Sequence, residues 1–453
     1  MIYSEIKTVR TPDGETERLQ IVRIPDWKSL DFFHPQPVRD PLSGILRIYR
    51  QFLVPACPWI FGQMALLGLP GGGNEPAAER QALSASGIHD EDPEDALFRA
   101  ADCLQEGLRL RKGKAFFRTD EAEALWKRLG KEGLVKTVSG KLPFTKIIPV
   151  SGKMGLLSES EPQAALKVNA SFFIFDPFDC ATLYDSVGTP FGLCVKDGRI
   201  LSPPLYGREA LLVCRDGLVR VEKPLLKDLT LEIRGKLFHA GRNAELFTRP
   251  DFGRTAAGNG PEVMITGRKV RAVSLIGGLE IPAGGFVLRS PDLCGISPGD
   301  EVSYHGLEEI SFGIQVGSSL LKDGVPSGGF LSPFYNVRSL KRTAYPPSLY
   351  PLDYQKARAA RIALGADKEG SPLLLWAEGA PKTGYMKGKT SCGASLSEME
   401  EYCVAAGFVN AVNLDGGGSA QILLSGRRSL EISDRTESGE ELERAVPTGL
   451  VCF

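Results

Sequence analysis

No charge of one sign dominates this 453-residue chain: 54 Lys and Arg stand against 55 Asp and Glu, a net charge of −1. That removes the basic excess on which nucleic-acid binding depends, and with it the expectation of a nucleic-acid partner. Nine Cys are scattered with no CxxC pair, so neither a metal framework nor a disulfide scaffold is expected. The first twenty residues hold no apolar stretch of the kind a secretory leader needs. Reduced thiols and a cytoplasmic location are the expectation. Uninterrupted apolar runs are also scarce. Between Gln51 and Asn74 there is no charge, but Pro55, Pro58, Gly62 and Gly68 break the run. Proline inside a helix costs about 3 kcal/mol, so 51–74 is read as a buried segment rather than a membrane contact.

What the chain has in quantity is glycine (51) and proline (31), with 42% apolar residues. Many tight turns favour short strands over a helical bundle. The length admits two to four domains at about 100–200 residues each. Leu19, Ile21 and Val22 alternate with polar neighbours in a strand pattern. Residues 43–53, 93–111 and 121–129, the last capped by Thr119, show helical spacing, so 40–144 is expected to be a helical insertion. Residues 1–39 are then the first strands of the main domain, and 145–453 the rest of it. From Thr145 onward the texture is β, starting with KIIPV, and FGLCVKDGRIL, ALLVCRDGLVRV and SLLKDGVP carry Asp-Gly hairpin signals. Residues 326–354 form a long loop. Ser395–Gly407 reads as one helix, with Ser395 and Glu398 as a capping box and Gly407 as its stop. The fold class expected is α+β: twisted, mostly antiparallel sheets with a few packed helices, plus the insertion.

The most informative stretch is Asn413-Leu414-Asp415-Gly416-Gly417-Gly418-Ser419. On a strand, Ala411, Asn413 and Asp415 share one face. Three glycines permit close approach to main-chain N–H groups, which can cradle an anion. A carboxylate beside such a cradle suits phosphoester or glycosyl-phosphate chemistry. The same residues also suit a plain hairpin turn. No Lys-Ser/Thr follows the glycines, so this is not a P-loop. No GxSxG elbow surrounds Ser419, and the four His show no triad spacing, His239 and His305 reading as core or rim residues. Asp434 and Arg435 read as turn residues.

The run SCGASLSEMEEYCVAAGFVNAVNLDGGGSAQ resembles the signature of the phosphodiester glycosidase family. VNASFF (168–173), ELFTRP (245–250), VGSSLLKDG (316–324), ARIALGAD (360–367) and ERAVPTGLV (443–451) resemble further parts of it in order, over roughly 145–453. The resemblance implies hydrolysis of a sugar-1-phosphate diester, free or polymer-linked. Glycosyl cleavage passes through an oxocarbenium-like transition state that a nearby anion stabilises, so Asp415 is the main acid/base or nucleophile candidate, with Glu443 or Glu378 as partner. The resemblance places Asn169, Arg361, Asn413, Gly416, Gly417, Gly418, Ser419 and Arg444 around the substrate, with Arg361 and Arg444 neutralising the phosphate. No cofactor is required, and clustered carboxylates leave room for a divalent cation near Asp415. Ser171, Ile362, Glu378-Gly379-Ala380 and Ala420 depart from the family pattern, so a cation is lacking at Ala380. Two other classes fit the residues: a non-catalytic sugar-phosphate or glycopolymer binding module, and an assembly protein acting through the insertion.

Overall fold

Residues 361–366 and 372–377 are buried along their whole length, which places them in the middle of a sheet covered on both faces. The computed structural model describes residues 1–33, 154–174, 188–205, 207–249, 253–315, 317–328, 357–436 and 438–453, with Thr182 and short pieces between 108 and 149. The elements that position the site are β1 (Tyr3–Arg10), β2 (Thr16–Arg23), β3 (Leu30–Phe33), β4 (Leu166–Asn169), β5 (Ser319–Lys322), β6 (Val325–Pro326), β7 (Arg361–Ala366), β8 (Pro372–Ala377), α1 (Leu396–Ala406), β9 (Asn410–Asn413), β10 (Ile422–Leu424) and β11 (Gly449–Cys452).

A seven-stranded sheet runs β1-β2-β8-β7-β9-β5-β6, and a four-stranded sheet runs β10-β4-β11-β3. Three more sheets, of five, three and four strands, use residues between Cys194 and Ile314. The ladders of the two site-bearing sheets are antiparallel throughout. The N-terminal strands pair with C-terminal ones: Ile21 faces Leu375, and Phe32 faces Leu450.

Alternation along β8 sorts the core. Leu373, Leu375 and Ala377 pack with Leu396, Met399, Cys403 and Ala406 of α1. Leu374 and Trp376 point the other way, into the large core shared with the remaining sheets. The helix is framed as its residues predict. Ser395 accepts from the Glu398 N–H, the Glu398 side chain returns to the Ser395 N–H, and Gly407 closes it at φ 89°. The Asp-Gly hairpins form too, with Asp197 at φ 51° before Gly198 and Asp323 at φ 51° before Gly324. β2 departs from simple alternation: Glu17 and Gln20 are fully buried beside Leu19 and Ile21.

The helical reading of 40–144 is corrected where residues are described. Leu108–Arg111 pairs with Lys114–Phe117, and Val135–Val138 pairs with Lys146–Pro149, each as an antiparallel hairpin. Leu108 and Leu110 alternate with Arg109 and Arg111, a period of two that a wider helical window conceals. Among the described residues Asp120, Glu123 and Ala124 are helical, in keeping with the Thr119-capped helix, and the Glu123 N–H reaches the Thr119 carbonyl at 3.2 Å. The rest of the insertion, the 51–74 segment and most of the 326–354 loop lie outside the described residues. No helix among the described residues is long and apolar enough to cross a membrane.

Candidate active site

The antiparallel pairing of β7 with β9 brings the start of one beside the end of the other, Ala363 facing Asn413. Arg361 therefore stands where the chain leaves β9 into the glycines. A Cβ on Gly416 would lie 3.6 Å from Arg361 Cδ and 2.7 Å from the Ala360 carbonyl oxygen, so no larger residue fits there. The turn is pinned from several sides. The Gly417 N–H donates to the Ala360 carbonyl at 2.8 Å, and the Asp415 N–H to the Ala170 carbonyl at 3.1 Å. Gly417 adopts φ 59°, which glycine takes without strain.

Asn169 at the end of β4 spans the turn. Its Nδ2 donates to the Asp415 carbonyl at 2.7 Å and its Oδ1 accepts from the Gln421 N–H at 3.0 Å. The nitrogen and the oxygen of one buried side-chain amide thus hold the two ends of the loop. Asp415 is 9% exposed at the strand terminus, and Asn413 is buried beneath it. Among the described residues the amides of Gly416 and Gly418 carry no hydrogen bond. Ser419 Oγ is likewise buried without a partner among them. Gly418 and Ser419 are buried, and an unpaired buried polar group costs about 1–3 kcal/mol, so these two call for a reason.

Gly418 meets a charged pair. A Cβ there would lie 2.1 Å from Asp434 Oδ2 and 2.3 Å from Arg444 Nη2. Arg444 Nε and Nη2 donate to that oxygen at 3.1 and 2.8 Å, and Lys382 Nζ lies 2.5 Å from Asp434 Oδ1. Asp434, read from sequence as a turn residue, is a buried carboxylate held by two cations. Its position was hidden because the turn-forming preference of Asp says nothing of burial. Lys382 had no sequence signal at all.

Arg361 is 5% exposed. Its Nε donates to the Ala394 carbonyl at 3.3 Å and its Nη2 to the Ala357 carbonyl at 3.2 Å, fixing it against the loop that leads into α1.

The two glutamates named as partners of Asp415 each hold an arginine and a main-chain N–H. Glu378 accepts from Arg18 Nη1 at 3.0 Å, Ser391 Oγ at 2.5 Å and the Glu431 N–H at 2.7 Å. Glu443 accepts from the Ser158 N–H at 3.0 Å and Arg428 Nη1 at 3.0 Å. Their arginine partners line a polar cleft of about 520 Å³, together with Glu431 and Glu441. Glu443 and Arg444 adjoin in sequence yet take different ion-pair partners.

The remaining candidates are peripheral. His239 pairs with Thr230 at 3.0 Å and His305 with Glu232 at 3.0 Å, each half-buried or exposed. The six described cysteines are free, and burial pushes the Cys194 thiol up to about 12, away from reactivity. Among the described residues no group of three or more His, Cys, Asp or Glu is placed to hold a metal ion.

Residues 287–453 match the phosphodiester glycosidase family. The matched region takes in Arg361, the whole glycine turn, Asp434 and Arg444; Asn169 lies before it. Over 79 residues the chain is 37% identical to the human N-acetylglucosamine-1-phosphodiester α-N-acetylglucosaminidase and 38% identical to the mouse protein. Those stretches cover 17% of this chain and 14% of each relative's length. The catalytic domain of the zebrafish protein of that name, auto-inhibited by its pro-peptide, aligns with 100% of this chain and 83% of its own at 13% identity and a TM-score of 0.38. The phosphodiester glycosidase resemblance read from the NLDGGGS run is thereby matched independently.

Proposed function

We propose that this protein hydrolyses a glycosyl phosphodiester at the Asp415–Ser419 turn. The observation that carries the reading is the Gly418 position, where the turn lies against the Arg444 guanidinium too closely for any side chain. Unpaired amides on a glycine turn, backed by a guanidinium, are suited to the oxygens of a phosphodiester. The Arg361 side chain passes beside Gly416, its Cδ 3.6 Å from where a Cβ there would lie. N-acetylglucosamine is the sugar to test first, because the matched relatives are named for it.

In the proposed reaction the bond from C1 of the sugar to the phosphate oxygen breaks, and water supplies OH to C1 and a proton to the system. The phosphate leaves as a monoester. Positive charge develops at C1 in an oxocarbenium-like transition state, and an anion nearby stabilises it. Asp415 takes that role, as nucleophile or as acid/base. Arg361 and Arg444 balance the charge that gathers on the departing phosphate. Glu378 and Glu443 serve as clamps on Arg18 and Arg428. No step of this scheme calls for a cofactor.

The test is incubation of the purified chain with a panel of sugar-1-phosphate diesters, free and polymer-linked, with release of free sugar measured. Sugar release that disappears in Asp415→Asn supports the proposal. Binding of the diesters without release by the unaltered chain would make this a binding module instead.

A further inference from the structure

We infer that Lys382 is a substrate-binding residue for the phosphodiester anion, held ready at the glycine turn by the buried carboxylate of Asp434. The inference rests on the hydrolase reading and goes further, by assigning recognition of the anion to a residue outside the motif.

Asp434 is 1% exposed, and a carboxylate so deep needs cations. It has two, and they differ. Arg444 is anchored: its side chain is 16% exposed and two of its nitrogens reach the same Asp434 oxygen. Lys382 is tethered only at its main chain, where its N–H donates to the Ser433 carbonyl at 3.0 Å. Its side chain is 58% exposed. Its ammonium lies 2.5 Å from Asp434 Oδ1, yet that oxygen has no partner in hydrogen-bond geometry, so the contact is a point-charge attraction. Lys382 can therefore swing away while Arg444 keeps the buried carboxylate compensated.

The direction of the swing follows from the turn. Asp434 Oδ2 and Arg444 Nη2 both lie within 2.3 Å of where a Gly418 Cβ would be. An anion seated on the Gly416 and Gly418 amides thus arrives beside the Asp434 cluster. In these pairs two cations share the one carboxylate of Asp434. A flexible, solvated ammonium whose one charged partner among the described residues is already shared is the group able to meet the anion. An ordinary surface lysine pair would do nothing measurable. Lys382 differs because its partner is buried against the turn.

The experiment uses the full chain, Lys382→Met and Lys382→Arg. Inorganic phosphate is the probe in calorimetry, and a methyl diester of N-acetylglucosamine-1-phosphate is the substrate. The expected result is phosphate binding weakened about tenfold in Lys382→Met and largely restored in Lys382→Arg. For the diester, KM rises about tenfold while kcat changes less than about twofold. Phosphate binding equal in the unaltered chain and Lys382→Met overturns the inference, and so does no binding by the unaltered chain. A fall in kcat at constant KM also overturns it. Should the unaltered chain bind phosphate yet release no sugar, the hydrolase reading fails while the calorimetry still decides the role of Lys382.

Discussion

Asn169 and Asp415, 246 positions apart, are joined by a 2.7 Å hydrogen bond from the side-chain amide of the first to the main-chain carbonyl of the second. The same asparagine takes the Gln421 N–H on its other side, so one side chain sets the span of the glycine turn. The bond leaves the Asp415 carboxylate out of the clamp.

Asn169→Ala removes both bonds and strands a buried carbonyl and a buried N–H. The expected loss is about 2 kcal/mol or more in a denaturant melt, with sugar release falling in parallel as the turn loosens.

Asp415→Asn separates the two roles. The main-chain contacts to Asn169 and Ala170 do not involve the carboxylate. Melting is expected to stay within about 1 kcal/mol, while sugar release falls by about a hundredfold or more. Circular dichroism and a sugar-release assay on the same preparation check both halves.

Two neighbouring glycines answer differently. Gly417→Ala has open space around it and loses only the about 1–2 kcal/mol of a left-handed conformation. Gly418→Ala drives a methyl into Asp434 and Arg444. It is expected to cost about 1–3 kcal/mol and to remove turnover more completely than Gly417→Ala. Parallel melts and rate measurements on the pair test this ordering.

Glu378→Gln tests the reassignment of that residue. Its carboxylate accepts from Arg18, Ser391 and the Glu431 N–H, so the change is expected to lower stability by about 1–3 kcal/mol. Residual turnover of the folded fraction stays near that of the unaltered chain. Loss of turnover without loss of stability would return Glu378 to the chemistry.

Glu17 sets a pH dependence. Burial pushes its carboxyl up to about 8, against the opposing pull of the Gly393 N–H and the Cys392 thiol. Between about pH 4.5 and 8 the unfolded chain releases this proton while the folded chain keeps it. The folded state then binds more protons, so this group's contribution declines as pH rises through that window. Glu17→Gln removes the titration, and its melting temperature should fall less than that of the unaltered chain between about pH 5 and pH 8.

Local features were readable in the residues themselves. The Ser395/Glu398 box, the Gly407 stop and the Asp-Gly hairpins follow from side chains within a few positions of the backbone groups they satisfy. The 108–111 strand was misread because four residues carry too little pattern to decide between periods of two and 3.6. The match of Arg361 to the glycine turn was legible through resemblance. Asp434 was legible only as a turn former, and Lys382 not at all. The partners of Glu378 were also out of reach, since Arg18 approaches from β2, 360 positions away.

By itself the sequence determined the helix with its caps, the hairpin turns and a glycine bend carrying an acidic residue, because each depends on steric and hydrogen-bonding demands within a short stretch of chain. Tertiary structure alone decided which charges face each other: Arg444 with Asp434, Glu443 with Arg428, Arg18 with Glu378. Ionic attraction depends on distance in space and on how far water is excluded, and neither is written in the spacing of residues along the chain.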